Sequence, residues 1–401
     1  MNNEILGEKI QQAVKILNEK DIDMWMIFVR ESSTVHDPSL DMIIGGNWTW
    51  QTAFIINRDG ETTAIVGSLE EDNIKRAGTF KNILTYLKSI RETLIDYLKS
   101  KNPSKIAINY SKNSVLADGL THGMYNILLE HLDGSGFRDK LVTSEEIISA
   151  LRGRKSHTEL SIMKEAIKET IKIFDETGEF IKPGITELEI AGFMKQKVKE
   201  RGFGLAWEED HCPAVFTGPE AGGAHSGPTN NKVEKGHIVN IDFGIEYKGY
   251  CSDLQRMWYI LKDGETKAPD QVQEGFDIIR DAIQKVADQL KPGVIGCEMD
   301  DIARNYIIEK GYEEYPHGLG HQVGRNVHDG GVGLFPRWER YGDTPFMKVE
   351  EGQIFTIEPR LTVKDYGTAT LEEEVFITNN GCEFISPPQK KLVLIKNNRK
   401  Q

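Results

Sequence analysis

Apolar positions along this chain change period several times, and each change marks an element. Leu6, Ile10, Val14 and Leu17 recur at helical spacing and predict a helix over residues 4–20. The unbroken run Met24-Trp25-Met26-Ile27-Phe28-Val29 reads as a buried strand, and residues 53–56 and 63–66 as a hairpin around Asp59-Gly60. Helical stretches near 69–78 and 87–100, a strand over 105–108 and a helix near 115–131 follow. Alternating helices and strands over this length predict a compact α/β domain. Its boundary is expected near 152–155, which gives domains of residues 1–152 and 153–401.

Beyond the boundary, Ser156 and Glu159 form a capping-box pattern opening a long helix, with Leu160, Met163, Ile167, Ile171 and Phe174 on one face. From there the chain nearly repeats itself. Ile181-Lys182-Pro183-Gly184-Ile185 returns as Leu290-Lys291-Pro292-Gly293-Val294. Each copy follows one amphipathic helix and precedes another, ending at Arg201-Gly202-Phe203 and at Lys310-Gly311-Tyr312. Later, Gly236-His237-Ile238-Val239-Asn240-Ile241-Asp242 has a counterpart in Gly352-Gln353-Ile354-Phe355-Thr356-Ile357-Glu358. A turn-like stretch and a second carboxylate follow each, Asp253 and Glu372. Hairpins with tips near Lys248-Gly249 and around 365–367 would set Asp242 roughly opposite Asp253, and Glu358 opposite Glu372. Recurrent helix-Pro-Gly punctuation is the plain alternative, but order and spacing favour an internal duplication. Two such halves, face to face across a pseudo-twofold axis, would form a concave anionic pocket.

Composition narrows the partners. A net charge of −13 over 401 residues argues against nucleic acid or an anionic membrane, since both call for a basic surface. Cys212, Cys251, Cys297 and Cys382 are scattered without a CxxC pair, as expected of reduced packing thiols. The apolar run at 24–29 is too short for a signal or a membrane span, so the expectation is a cytoplasmic enzyme.

Asp242, Asp253, Glu358 and Glu372 supply oxygen and His321 one nitrogen. That set suits Mn²⁺, Co²⁺ or Zn²⁺ and does not suit a thiolate-type structural zinc. Four clustered carboxylates repel one another and take up protons; two divalent ions remove the conflict and activate a water between them. Taken singly, each acid reads equally well as a solvated strand end, and Glu372, inside Glu372-Glu373-Glu374, as part of a charged face. Pro316-His317-Gly318-Leu319-Gly320-His321-Gln322-Val323-Gly324 is dense in glycine and histidine, with His328 beyond it. Its glycine spacing misses the dinucleotide fingerprint, and His317 and His321 lack the Glu of HExxH. His225 sits on a Gly-rich loop before Asp242.

Residues 153–385 resemble the M24 "pita-bread" metallopeptidases, the group of Xaa-Pro aminopeptidases, prolidases and methionine aminopeptidases. The resemblance rests on the Asp242/Asp253 pair, the His in Gly-His-Gln-Val-Gly, Ile-Glu-Pro and the Glu that follows it. The first domain is similar to the one prolidases and Xaa-Pro aminopeptidases carry. The resemblance implies an α/β N-terminal domain and an α+β pita-bread domain with an internal pseudo-twofold repeat. It implies two divalent metal ions, manganese first and cobalt or zinc as alternatives. Asp242 would chelate one ion and His321 the other, Asp253 and Glu372 would bridge, and Glu358 would bind metal and shuttle a proton. His225 and His328 would stabilise the oxyanion, and His317 would border the leaving-residue pocket. The implied reaction is hydrolysis of the N-terminal Xaa-Pro bond of short peptides by a metal-bridging hydroxide, in a homodimer.

Two departures stand out. Where the family usually has Arg-Ile-Glu, this chain has Thr370-Leu371-Glu372, and the usual Pro-Gly after the other glutamate is Pro359-Arg360. Arg360 is therefore a candidate to replace the missing arginine in space, with Arg337 and Arg340 as further candidates for a substrate carboxylate. Trp48 and Trp50 either contact substrate across a dimer or pack internally. The alternative function is a metal-dependent hydrolase or lyase of a small non-peptide substrate; a metal-free binding protein would be expected to have lost a ligand.

Overall fold

The computed structural model describes residues 3–219 and 226–396. The chain divides into two compact units, Met1–Arg152 and Gly153–Gln401. Among the described residues no helix is long and apolar enough to cross a membrane.

The first unit is built on strands β1 (Met24–Val29), β2 (Thr52–Asn57), β3 (Thr62–Gly67), β4 (Asn82–Tyr86), β5 (Ile106–Ile108) and β6 (Leu141–Thr143). They form one six-stranded sheet in the order β4-β3-β2-β1-β5-β6. Helices α1 (Asn3–Glu19), α2 (Leu40–Ile43), α3 (Glu71–Ala77), α4 (Arg91–Lys101), α5 (His122–His131) and α6 (Glu145–Gly153) accompany it. β1 is apolar without alternation because both of its faces are covered. Trp25, Ile27 and Val29 enter one core with α1 and α6, while Met24, Met26 and Phe28 enter another with α4 and α5. Trp48 belongs to the first core and donates through its indole to Gly45 O at 3.1 Å, whereas Trp50 is 53% exposed.

The second unit runs twice through one plan. Helices α7 (His157–Phe180) and α8 (Glu187–Glu200) precede β7 (Gly204–Leu205), β8 (Ala214–Thr217), β9 (Ile238–Phe243), β10 (Ile245–Tyr247), β11 (Tyr250–Cys251) and β12 (Leu254–Ile260). Then α9 (Asp270–Ala287) and α10 (Gly296–Glu309) precede β13 (Ile354–Ile357), β14 (Arg360–Val363), β15 (Gly367–Thr370) and β16 (Glu373–Ile377). β17 (Cys382–Phe384) and β18 (Val393–Ile395) complete the set. α7 begins in the capping box of Ser156 and Glu159, with both reciprocal bonds made.

Strand β12 belongs to both halves. Leu254, Trp258 and Ile260 pack with α7 and α8, while Met257 and Tyr259 pack with α9 and α10. The β9–β12 ladder puts Asp242 opposite Gln255, so Asp253 lies two positions along rather than facing Asp242. In the second half the register runs from Ile357↔Glu373 to Arg360↔Thr370, which leaves Glu358 facing Glu372.

Candidate metal centre

Two strand pairs and one loop converge on the site. Asp242 ends β9, Asp253 precedes β12, and Glu358 and Glu372 interrupt the second hairpin between its two ladders. His321 is carried on the glycine-rich loop. Thr356 N–H donates to His321 O and holds that loop against β13, while Gly320 N–H donates to Leu334 O further along the chain. The glycines are there for close approach: a Cβ on Gly320 would lie 2.0 Å from Thr356 O, and one on Gly318 would lie 2.2 Å from the Phe335 ring.

One ligand atom from each of Asp253, His321 and Glu372 lies within 4.8 Å of the others. His321 Nε2 is 3.4 Å from Asp253 Oδ2 and 3.4 Å from Glu358 Oε1. The carboxyls of Asp242 and Asp253 interact directly. Burial pushes the Asp242 carboxyl up to about 7 and drives those of Asp253, Glu358 and Glu372 well above the carboxylate range, with neighbouring carboxylates adding to it for the last three. Burial, with His328 next, pushes His321 down to about 3, so its imidazole is neutral. Asp242 Oδ1 and both carboxylate oxygens of Glu372 are buried without a hydrogen-bond partner. Orphaned acid oxygens around a neutral imidazole are what a divalent cation fits, so the donor set suits the metal chemistry.

The remaining candidates are distributed unevenly. His328 is exposed and meets the His321 ring edge-on, centroids 4.3 Å apart. His317 is half-buried, with Nδ1 2.8 Å from Gly318 O. His225 lies outside the described residues. Arg337 is committed to both carboxylate oxygens of Asp301, at 2.8 Å each. Arg340 donates to Pro316 O at 2.6 Å and lies over the Trp338 and Tyr341 rings. Arg360 is half-buried; among the described residues its hydrogen-bond partner is the Thr368 hydroxyl at 3.3 Å.

Several supporting residues escape sequence reading. The Glu372–Glu374 run is not a charged face: the three are 1%, 1% and 0% exposed. Glu373 pairs with Arg256 at 3.1 Å, and Arg256 also donates to Glu372 O at 3.0 Å and Pro387 O at 3.0 Å. Glu374 Oε1 accepts the Asp253 N–H at 2.8 Å, and burial raises its carboxyl to about 8. Gln255 O accepts from Glu372 N at 3.3 Å, and Asn240 Nδ2 donates to Thr370 O at 3.1 Å. Each half thus holds the backbone that carries the other's candidate ligands. On α10, Asp300 and Arg304 form a buried i,i+4 pair at 2.6 and 2.8 Å. Arg304 donates to Tyr315 O and His317 O at 2.7 Å each, while Asp300 Oδ1 accepts Leu319 N–H at 3.0 Å. That pair clamps the loop carrying His317 and His321; its i,i+4 spacing was the one signal that could have revealed it.

Residues 161–379 match the model of metallopeptidase family M24, and the chain belongs to that family. It is thus a metallopeptidase, of a metal-dependent family, with a carboxylate–histidine cluster suited to a metal. An uncharacterized peptidase of Staphylococcus aureus is 28% identical over 340 residues, covering 84% of this chain and 88% of the relative. Solved structures show the same fold. An Xaa-Pro dipeptidase from Bacillus anthracis superposes with a TM-score of 0.73 at 24% identity, covering 97% of this chain and 100% of its own. An X-Pro aminopeptidase from Thermotoga maritima gives 0.69 at 24% identity, covering 96% and 99%.

Proposed function

We propose that this metallopeptidase uses two divalent ions to release the N-terminal residue of short peptides at an Xaa-Pro bond. The observation that carries the reading is the convergence of Asp253, His321 and Glu372 on one buried point, with Glu358 against His321. Asp242, Asp253, His321, Glu358 and Glu372 would hold the ions, manganese first, with cobalt or zinc as alternatives. When bound, the ions supply Lewis acidity and lower the pKa of water.

The chain's own groups do the rest. Glu358 takes a proton from the attacking water at its carboxylate and returns it to the leaving proline nitrogen. His328 donates a hydrogen bond to the oxyanion that develops on the scissile carbonyl, with His225 as a second donor. His317 borders the space for the leaving residue. Of the three candidate arginines, Arg337 has a carboxylate partner and Arg340 a carbonyl and two rings, whereas Arg360 meets one hydroxyl. Burial lowers the Arg360 pKa, and among the described residues no acid offsets it. Arg360 stands opposite Thr370 in the hairpin and fits a substrate carboxylate, which supports a dipeptide as substrate.

The test is a panel assayed after metal stripping and refilling with Mn²⁺, Co²⁺ or Zn²⁺: Xaa-Pro dipeptides, Xaa-Pro-Yaa tripeptides and Xaa-Ala controls. Metal-restored cleavage confined to Xaa-Pro substrates is expected. Equal cleavage of Xaa-Ala refutes the proline preference, and bound metal without peptide cleavage moves the function to a small non-peptide substrate. Arg360→Ala should raise KM for dipeptides roughly 10-fold or more while sparing tripeptides, as loss of a charge-assisted bond predicts. An unchanged dipeptide KM removes Arg360 from the site.

A further inference from the structure

A buried relay of two side chains ends on Glu358. Gln255 stands opposite Asp242 in the β9–β12 ladder and two residues after Asp253, so the three side chains project from one face of the hairpin. Both Gln255, 7% exposed, and Thr370, 4% exposed, are shut away from solvent. Thr370 Oγ1 donates to Gln255 Oε1 at 3.1 Å, and Gln255 Nε2 donates to Glu358 Oε2 at 3.2 Å.

The chemistry of the three groups fixes the direction. Holding a metal ion requires Glu358 ionised, and an ionised carboxylate only accepts, so in that state it selects the NH₂ end of the amide. The amide oxygen is then turned to Thr370, whose hydroxyl supplies the matching proton. With Oε2 held, Glu358 Oε1 faces His321 Nε2 at 3.4 Å and Thr356 Oγ1 at 3.5 Å. Thr370 stands where the family resemblance leads one to expect arginine, a side chain with donors only and a longer reach. A short hydroxyl there leaves room for the Gln255 amide and orients it.

We propose that Gln255, set by Thr370, is a positioning residue that fixes the Glu358 rotamer for metal binding and proton transfer. The inference rests on the role of Glu358 given above. A merely structural pair would contribute to thermal stability and leave metal affinity alone.

The experiment compares the wild type with Gln255→Met, Thr370→Val and Thr370→Ser, each stripped of metal. Co²⁺ is titrated into each by calorimetry, and kcat and KM are then measured on an Xaa-Pro dipeptide. Gln255→Met should weaken Co²⁺ binding about 10-fold or more and lower kcat roughly 10- to 100-fold, with KM within about twofold. Thr370→Val should show a smaller loss in the same direction, and Thr370→Ser should restore wild-type behaviour. Wild-type Co²⁺ affinity and kcat in Gln255→Met overturn the proposal, as does a serine variant no better than the valine one. If Gln255→Met does not fold, Thr370→Val, which keeps the side-chain shape, decides alone: unchanged Co²⁺ affinity overturns it. If the wild type binds Co²⁺ but cleaves no peptide, the peptidase reading fails while the affinities still judge the relay.

Discussion

Removing the charge of Asp300 should loosen the His317–His321 loop from a distance. The Asp300 side chain is fully buried and that of Arg304 7% exposed. In Asp300→Asn the amide can still accept from Leu319 N–H but no longer neutralises the buried guanidinium, which keeps Tyr315 O, His317 O and, at 3.2 Å, the half-exposed Glu314 carboxylate as partners. Breaking a buried pair by removing one partner costs about 3–5 kcal/mol. For a unit spanning Gly153–Gln401, about 2–4 °C per kcal/mol gives a fall in Tm of roughly 6–20 °C. Replacing both residues in Asp300→Leu/Arg304→Met removes the buried charge altogether, a change that is often neutral. Here it should remain destabilising, because Leu319 N–H, Tyr315 O and His317 O are orphaned at about 1–3 kcal/mol each. Scanning calorimetry of the metal-free forms measures these shifts, and a Co²⁺ titration should show roughly 10- to 100-fold weaker binding. An Asp300→Asn protein within about 1 kcal/mol of wild type, with unaltered metal affinity, would refute the clamp.

Metal removal should leave a protein whose stability falls with rising pH. The Asp242 and Glu374 carboxyls are raised to about 7 and about 8, so the folded state holds protons that the unfolded state releases near pH 4. Their contribution is full below the unfolded pKa and is lost as pH rises through the folded values. His321, depressed to about 3, acts in the opposite sense, but below its ordinary value of 6.5. Between pH 6.5 and 8.5 the melting temperature of metal-free protein should therefore drop and that of Mn²⁺-loaded protein should not; a flat metal-free profile counts against the buried acid cluster. Two glycine substitutions should diverge. Gly320→Ala forces a Cβ to 2.0 Å from Thr356 O and should cost about 1–3 kcal/mol and metal affinity. Gly192→Ala, within α8 and with open space around the new Cβ, should gain up to about 1 kcal/mol by chemical denaturation.

The fold was legible wherever burial was one-sided in pattern or complete. β1, with both faces covered, and α7, with its capping box and apolar stripe, were read close to their observed limits. β4 was missed because it is a half-exposed edge strand, Asn82–Tyr86, whose pairing with β3 leaves no apolar run in the sequence. The expected helix near 115–131 is a short 3₁₀ turn at Val115–Ala117 and then α5, since Asp118-Gly119 interrupts it. At the site, the paired carboxylates and His321 announced themselves by repetition and spacing. Their supports did not: Gln255, Arg256, Asp300, Arg304 and Glu374 act through contacts between segments far apart in sequence. Because side chains alternate with a period of two, a two-residue shift in register keeps every side chain on its face and is hidden from the sequence pattern; so it is that Asp242 faces Gln255 rather than Asp253.

The exchange of supports between halves bears on how the protein comes to be active. Asp253 takes its backbone partner from Glu374, and Gln255 takes its own from Glu372. During synthesis the first candidate ligands emerge more than a hundred residues ahead of the groups that hold them. Until then β12 presents Met257 and Tyr259 with nothing of the second half to cover them. Ribosome-bound chains therefore pass through a stage with an unsheltered apolar strand and no competent site, and metal acquisition belongs to the end of maturation.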